Sequence, residues 1–180
     1  MIGVLVSGEG TNLQALLDAG LPVVAVAANR ATAPALDRAR RAGIPAAAFP
    51  LEDHPDRSAR DAAMAAWLEG QGACWVVCAG YMHLLTAAFL DRFPDRIVNT
   101  HSAPLPAFPG AHPIEDVLAA GVAETAATIH YVDEGVDTGA VIAAQPVPVL
   151  PGDTPDTLRA RVQAVEHTLL PRVVGELIAS

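Results

Sequence analysis

Lysine is absent from all 180 residues, so the 11 basic side chains are arginines. That excludes Schiff-base chemistry and a P-loop lysine, both of which need a primary amine. Positive charge is scarce overall, with a formal net charge of -9. A nucleic-acid or anionic-membrane surface requires clustered Lys and Arg, so neither partner is expected, whereas a small anionic ligand needs only local donors. No window reaches about 18 uninterrupted apolar residues, and "MIGVLVSGEG" has neither a basic leading region nor an apolar run long enough for a signal peptide. The expectation is a soluble, cytoplasmic protein. Cysteine is limited to Cys74 and Cys78 in "ACWVVCAGYM". Four residues of strand span about 13 Å, too far for a disulfide, and both side chains read as core thiols.

What the chain has in quantity is apolar surface, at 52% of residues, enough for one sizeable core and a single domain. Short apolar runs alternate with longer amphipathic ones, the rhythm of an α/β protein with a mostly parallel sheet flanked by helices on both faces. "IGVLVS", "PVVAVAAN", "AAAF", "CWVVCAGY" and "RIVN" read as strands. "TNLQALLDA", "APALDRARRAG", "DRSARDAAMAAWLEG", "AFLDRF" and "PIEDVLAAG" read as the helices between and after them. "TAATIHYVD" alternates like a partly exposed strand, and "VIAAQPVPV" reads as an edge strand because Pro146 and Pro148 cannot donate to a ladder. The remainder is a closing helix that Pro171 is expected to kink or split. Ligands of open α/β sheets collect beyond the C-terminal strand ends, so the loops starting at Ser7, Gly80, Asn99 and Asp133 are the candidate walls of a site.

Three stretches could carry chemistry. "SGEGTNL", residues 7 to 13, joins a strand to a helix, and the amides of Gly10, Thr11 and Asn12 can hold a phosphate there. A plain turn capped by Thr11 fits the same pattern. A dinucleotide fingerprint does not, because its third glycine position is Leu13. Asn99 and His101 are two residues apart at a strand end, where both side chains face one way. Such a pair can move a proton and donate to an oxyanion, and Pro104, Pro106, Pro109 and Pro113 stiffen the loop that follows. Taken alone, a histidine here also fits a hydrogen-bonding or surface group. "YVDEGVDTG", residues 131 to 139, is acidic and equally suits a solvated turn. A carboxylate from it that meets His101 would favour the charged ring and orient it. His101, His112 and His130 lie among these acids, but no H-x-H, H-E-x-x-H or EF-hand spacing appears, so no metal is expected.

In this order and spacing, the stretches resemble the glycinamide ribonucleotide formyltransferases, folate-dependent enzymes of purine biosynthesis. The likeness runs nearly end to end, through "VLVSGEGTNLQALL", "ANRATAPALDRARRAGIP", "VVCAGYMHLLTAAFL", "RIVNTHSAPLPAFPGAH", "TIHYVDEGVDTGAVIAAQPVPV" and "TLRARVQAVEHTLLP". It departs at "HSAPLP", where the family reads approximately H-P-S-L-L-P, and at "MHLL", where it reads "MRIL". The resemblance implies a Rossmann-like formyltransferase fold with a phosphate-binding half at about residues 1–95 and a catalytic and folate half at about 96–180. It implies catalytic Asn99, His101 and Asp137, a ribonucleotide phosphate on Gly10, Thr11 and Asn12, and a glycinamide contact at Glu166. It places the folate against Arg57, Met82, His83, Leu84 and Leu85, against Asn99, and along Asp133, Glu134, Gly135, Val136 and Asp137. The cosubstrate would be 10-formyltetrahydrofolate, with no metal or ATP and only small-molecule partners. A formyltetrahydrofolate hydrolase, or a noncatalytic nucleotide- or folate-binding module, remains as the alternative. The sequence does not distinguish a monomer from a homodimer.

Overall fold

The apolar runs bounded by turns become the strands of a single seven-stranded sheet, ordered β3-β2-β1-β4-β5-β6-β7. The computed structural model describes residues 1–179. β1 (Ile2–Val6), β2 (Val23–Ala28), β3 (Ala46–Ala48), β4 (Trp75–Cys78) and β5 (Ile97–His101) run parallel. β6 (Glu124–Tyr131) and β7 (Val141–Pro148) close one side antiparallel. Each of the first four parallel strands feeds a crossover that needs a helix, and these are α1 (Thr11–Asp18), α2 (Pro34–Arg41), α3 (Arg57–Gly70) and α4 (Ala87–Leu90). α5 (Pro113–Ala120) and α6 (Pro155–Ala179) complete the chain.

Strand alternation sends successive side chains to opposite faces, and the core divides accordingly. Val4 and Val6 join Leu13 and Leu16 of α1, Leu36 of α2, Val117 of α5 and Leu170 of α6 on one face. Leu5 and Val76 join Met64 and Leu68 of α3 and Phe89 of α4 on the other. Burying each such large aliphatic side chain contributes about 1.5–3 kcal/mol. The chain leaves β1 towards β2 and β3, then returns to build β4 onwards on the other side. The direction reverses between β1 and β4, and a crevice opens there at the C-terminal strand ends.

Several expectations need correction. β5 continues two residues beyond "RIVN", so His101 lies in the strand rather than in the loop. β6 is buried along most of its length, since β7 pairs with its outer edge and α6 packs on it. α6 runs unsplit through Pro171, which is buried. Cys74 is exposed just ahead of β4, and only Cys78 is a core thiol, its burial pushing the pKa up to about 12. α1 is not capped by Thr11: its N-cap is Gly10, with no side-chain cap bond.

Candidate functional site

Gly10 adopts a left-handed φ of 73° and passes so close to α2 that a Cβ would sit 2.6 Å from the Ala35 Cβ. Only glycine meets both demands, which is why "SGEGTN" turns as it does. The turn leaves the amides from Gly8 to Asn12 without an acceptor among the described residues. Asn12 is buried; its Nδ2 donates to Glu166 Oε2 at 3.0 Å and its Oδ1 has no partner.

These amides form one end of a cavity of about 660 Å³. It is walled by residues 8–12, 78–85, 99–102, 110–111 and 113–115, by His130, by 132–133 and 135–137, and by Arg159, Gln163 and Glu166 of α6. All four predicted loops therefore meet at one site. Antiparallel register sets Asn99 opposite His130, so both side chains project from the same face of the sheet. Asn99 Nδ2 lies 3.1 Å from His130 Nε2, while His130 Nδ1–H donates to the Tyr131 carbonyl at 2.7 Å. Because the carbonyl can only accept, a neutral His130 offers Nε2 as the acceptor for one amide hydrogen of Asn99. The second hydrogen of that amide stays available to a ligand. His101 is buried, and its Nε2–H donates to the Phe108 carbonyl at 2.8 Å.

Asp137 joins the two histidines. It sits at a left-handed φ of 53°, a conformation aspartate tolerates better than most residues. Its Oδ2 accepts from the Gly110 amide at 2.8 Å and lies 3.5 Å from His101 Nδ1, and its Oδ1 lies 3.5 Å from His130 Nε2. Burial opposes its ionisation, but the nearby His130 ring, the Gly110 amide bond and the His101 ring together outweigh it. The Asp137 pKa is lowered below the usual carboxylate value. The loop that carries Asp137 closes on itself at Gly139, where a Cβ would lie within 1.8 Å of the Tyr131 carbonyl oxygen.

Glu166 is only 3% exposed, and a carboxylate so enclosed needs donors. Asn12 supplies one and Ser102 Oγ the other, at 2.7 Å. Ser102 thus ties the strand carrying His101 to α6. On the opposite wall Met82 and Leu84 are 70% and 47% exposed and offer an apolar lip. His83 turns away from it: its Nδ1 lies 2.9 Å from Arg60 Nη1 and its Nε2 2.9 Å from Asn29 Nδ2. Arginine cannot accept, so His83 Nδ1 does. Burial, then the Arg60 and Arg57 charges, lower the His83 pKa.

Most of the expected site residues line the cavity. Gly10, Thr11, Asn12, Met82, His83, Leu84, Leu85, Asn99, His101, Asp133, Gly135, Val136, Asp137 and Glu166 are all on its wall. Arg57 and Glu134 are not. Arg57 starts α3 and donates to the Leu84 carbonyl, bracing the lip from behind, and Glu134 is exposed. Asp133 accepts from the Gly135 amide and the Thr138 hydroxyl, and so ties its own loop. Sequence reasoning missed His130 as part of the central network, and missed Ser102 and the buried Arg60–Asp61 pair. His130 could have been found by pairing "RIVNTH" antiparallel with "TIHYV". No local pattern marks the other two.

The formyl transferase family profile matches residues 1–174. The chain is 46% identical over 179 residues to phosphoribosylglycinamide formyltransferase of Mycobacterium tuberculosis, covering 97% of this chain and 83% of that one. It is 41% identical over 187 residues to the trifunctional purine biosynthetic protein adenosine-3 of Drosophila pseudoobscura pseudoobscura, covering 99% of this chain and 14% of that much longer protein. The crystal structure of glycinamide ribonucleotide transformylase 1 from Symbiobacterium toebii superposes with a TM-score of 0.94 at 45% identity, over 96% of this chain and 84% of the other.

Proposed function

The chain belongs to the formyl transferase family, and from that premise we propose that it transfers the formyl group of 10-formyltetrahydrofolate to the amine of glycinamide ribonucleotide, as a cytoplasmic enzyme of purine biosynthesis. The observation that carries the reading is a single cavity with unpartnered amides at one end, an apolar lip at the other, and Asn99, His101, His130 and Asp137 between them. In this reading residues of the first half, about 1–95, hold the phosphate. Those of the second half, about 96–180, carry the chemistry and most of the folate contact.

The phosphate of the ribonucleotide lies on Gly10, Thr11 and Asn12, at the positive end of α1. Glu166 receives the glycinamide end. The folate occupies the space between Met82–Leu85 and residues 133–137, with Arg57 and Glu134 acting from outside the wall. The amine attacks the formyl carbon, and the carbonyl oxygen gains negative charge as the carbon becomes tetrahedral. The free amide hydrogen of Asn99 and a protonated His101 meet that charge. Asp137 balances the imidazolium. A proton passes from the attacking nitrogen towards the leaving folate nitrogen through the Asp137–His101 pair, by way of a bridging water, since 3.5 Å exceeds ordinary hydrogen-bond reach. Collapse of the intermediate breaks the bond to folate and yields formylglycinamide ribonucleotide and tetrahydrofolate. Holding both substrates in one cavity supplies much of the remaining rate.

His101→Ala tests the assignment. Turnover should fall by about 10²–10⁴-fold, as for loss of a proton-transfer group, while ribonucleotide binding persists. Turnover at the wild-type rate would remove His101 from the mechanism.

A further inference from the structure

A dianionic phosphate in a chain without lysine raises the question of where its countercharge comes from. None of the loop side chains from Ser7 to Asn12 is cationic. The three consecutive carbonyls of Ser7, Gly8 and Glu9 are each held from behind, by one short segment. Arg30 Nε donates to the Ser7 carbonyl at 2.7 Å, the Ala35 amide to that of Gly8 at 3.1 Å, and Arg38 Nε to that of Glu9 at 2.6 Å. In a trans peptide the N–H points opposite to the C=O. Drawing these carbonyls towards β2 and α2 therefore turns the amides of Gly8, Glu9 and Gly10 the other way. Residues 8–10 line the cavity, and these amides have no acceptor among the described residues.

The charge of the two guanidiniums is also uncommitted. Among the described residues neither Arg30 nor Arg38 has a carboxylate within 4.0 Å, whereas Arg40, Arg60, Arg92, Arg159, Arg161 and Arg172 each do. A second, independent sign that this end awaits a polar ligand is Asn12, 8% exposed and on the cavity wall, whose unpartnered Oδ1 accepts and so calls for a donor such as a sugar hydroxyl beside the phosphate.

We propose that Arg30 and Arg38 are positioning residues for the acceptor phosphate: they fix the peptide orientation of residues 7–10 through the carbonyls and supply, through the loop, the positive potential that lysine provides elsewhere. The inference rests on the reading of that loop as a phosphate site. It needs no direct contact between either guanidinium and the ligand.

The test is calorimetric titration of wild type, Arg30→Met, Arg38→Met and Arg38→Lys with ribose 5-phosphate, inorganic phosphate and ribose, at about 20 mM and about 300 mM salt, where the screening lengths differ severalfold. Each Met variant should bind ribose 5-phosphate about tenfold more weakly at low salt, with the deficit shrinking at high salt. Arg38→Lys, which keeps the charge and a donor, should recover most of the affinity. In turnover, the Met variants should raise the acceptor KM and leave the cosubstrate KM within about twofold. Met variants within twofold of wild type at low salt would overturn the inference, as would a deficit identical at both salts, which marks a purely structural role. Arg38→Lys binding no better than Arg38→Met would also overturn it. A wild-type protein that binds neither phosphate ligand would remove the phosphate site itself, together with the inference. If wild type binds ribose 5-phosphate but does not transfer formyl groups, the functional reading fails and the inference stands on its own binding data.

Discussion

Asp137→Asn isolates one charge at the centre of the site. The replacement keeps size and shape, and its amide oxygen can still accept the Gly110 amide that Asp137 Oδ2 accepts at 2.8 Å. What disappears is a negative charge 3.5 Å from His101 Nδ1 and 3.5 Å from His130 Nε2, on a side chain 13% exposed. At about 4 Å and an effective dielectric near 20, such a charge pair is worth about 4 kcal/mol. If that interaction stabilises the imidazolium chiefly in the transition state, its loss is about a 10³-fold fall in kcat, at roughly 1.4 kcal/mol per factor of ten. The lowered Asp137 pKa means that the carboxylate is ionised throughout pH 5–8. The variant's deficit should therefore persist throughout that range, because Asp137 itself does not titrate within it. A carboxyl depressed in the folded state contributes stability that is present above its unfolded pKa and lost as pH falls through the folded value. Asp137→Asn should accordingly lower the melting temperature at pH 7, with the difference closing in strong acid. The assay is initial-rate absorbance of folate product with both substrates saturating. A kcat within tenfold of wild type at pH 7 would remove this charge from the catalytic step.

Three other outcomes follow from the same geometry. Asn12→Ala removes a donor from Glu166 and should raise the ribonucleotide KM about tenfold with little change in the folate KM; equal effects on both would argue against the division of the cavity. Asp61→Ala strands the fully buried Arg60 guanidinium and frees the Thr86 amide that Asp61 accepts. It should cost about 3–5 kcal/mol, read as a lowered urea midpoint at unchanged slope. A thiol reagent should label one cysteine in the native protein and two after denaturation, because Cys74 is exposed whereas burial pushes the Cys78 thiol up to about 12.

The parallel half of the sheet was legible because its strands are apolar runs bounded by glycine, proline and polar turns, and because helical spacing of Leu13, Leu16 and Leu17 is visible in sequence. The exposure of β6 was misjudged from its alternation, since the covering elements, β7 and α6, lie later in the chain. At Pro171 α6 is not split: the helix continues through a residue that usually interrupts one. Asn99, His101 and Asp137 were each marked by a local setting, a strand end or a glycine-framed acidic loop. His130 was not, because its role comes from sitting opposite Asn99 across 31 residues of chain. The Ser102–Glu166 bond, spanning 64 residues, has no local signal at all.

The proposed reaction joins a folate formyl donor to a ribonucleotide amine in this cavity. It is tested most directly by following folate absorbance with 10-formyltetrahydrofolate, with and without glycinamide ribonucleotide, alongside His101→Ala. Tetrahydrofolate formation should require the ribonucleotide and collapse in the variant. Formate release at the same rate without the ribonucleotide, or binding of both ligands with no turnover, would contradict it.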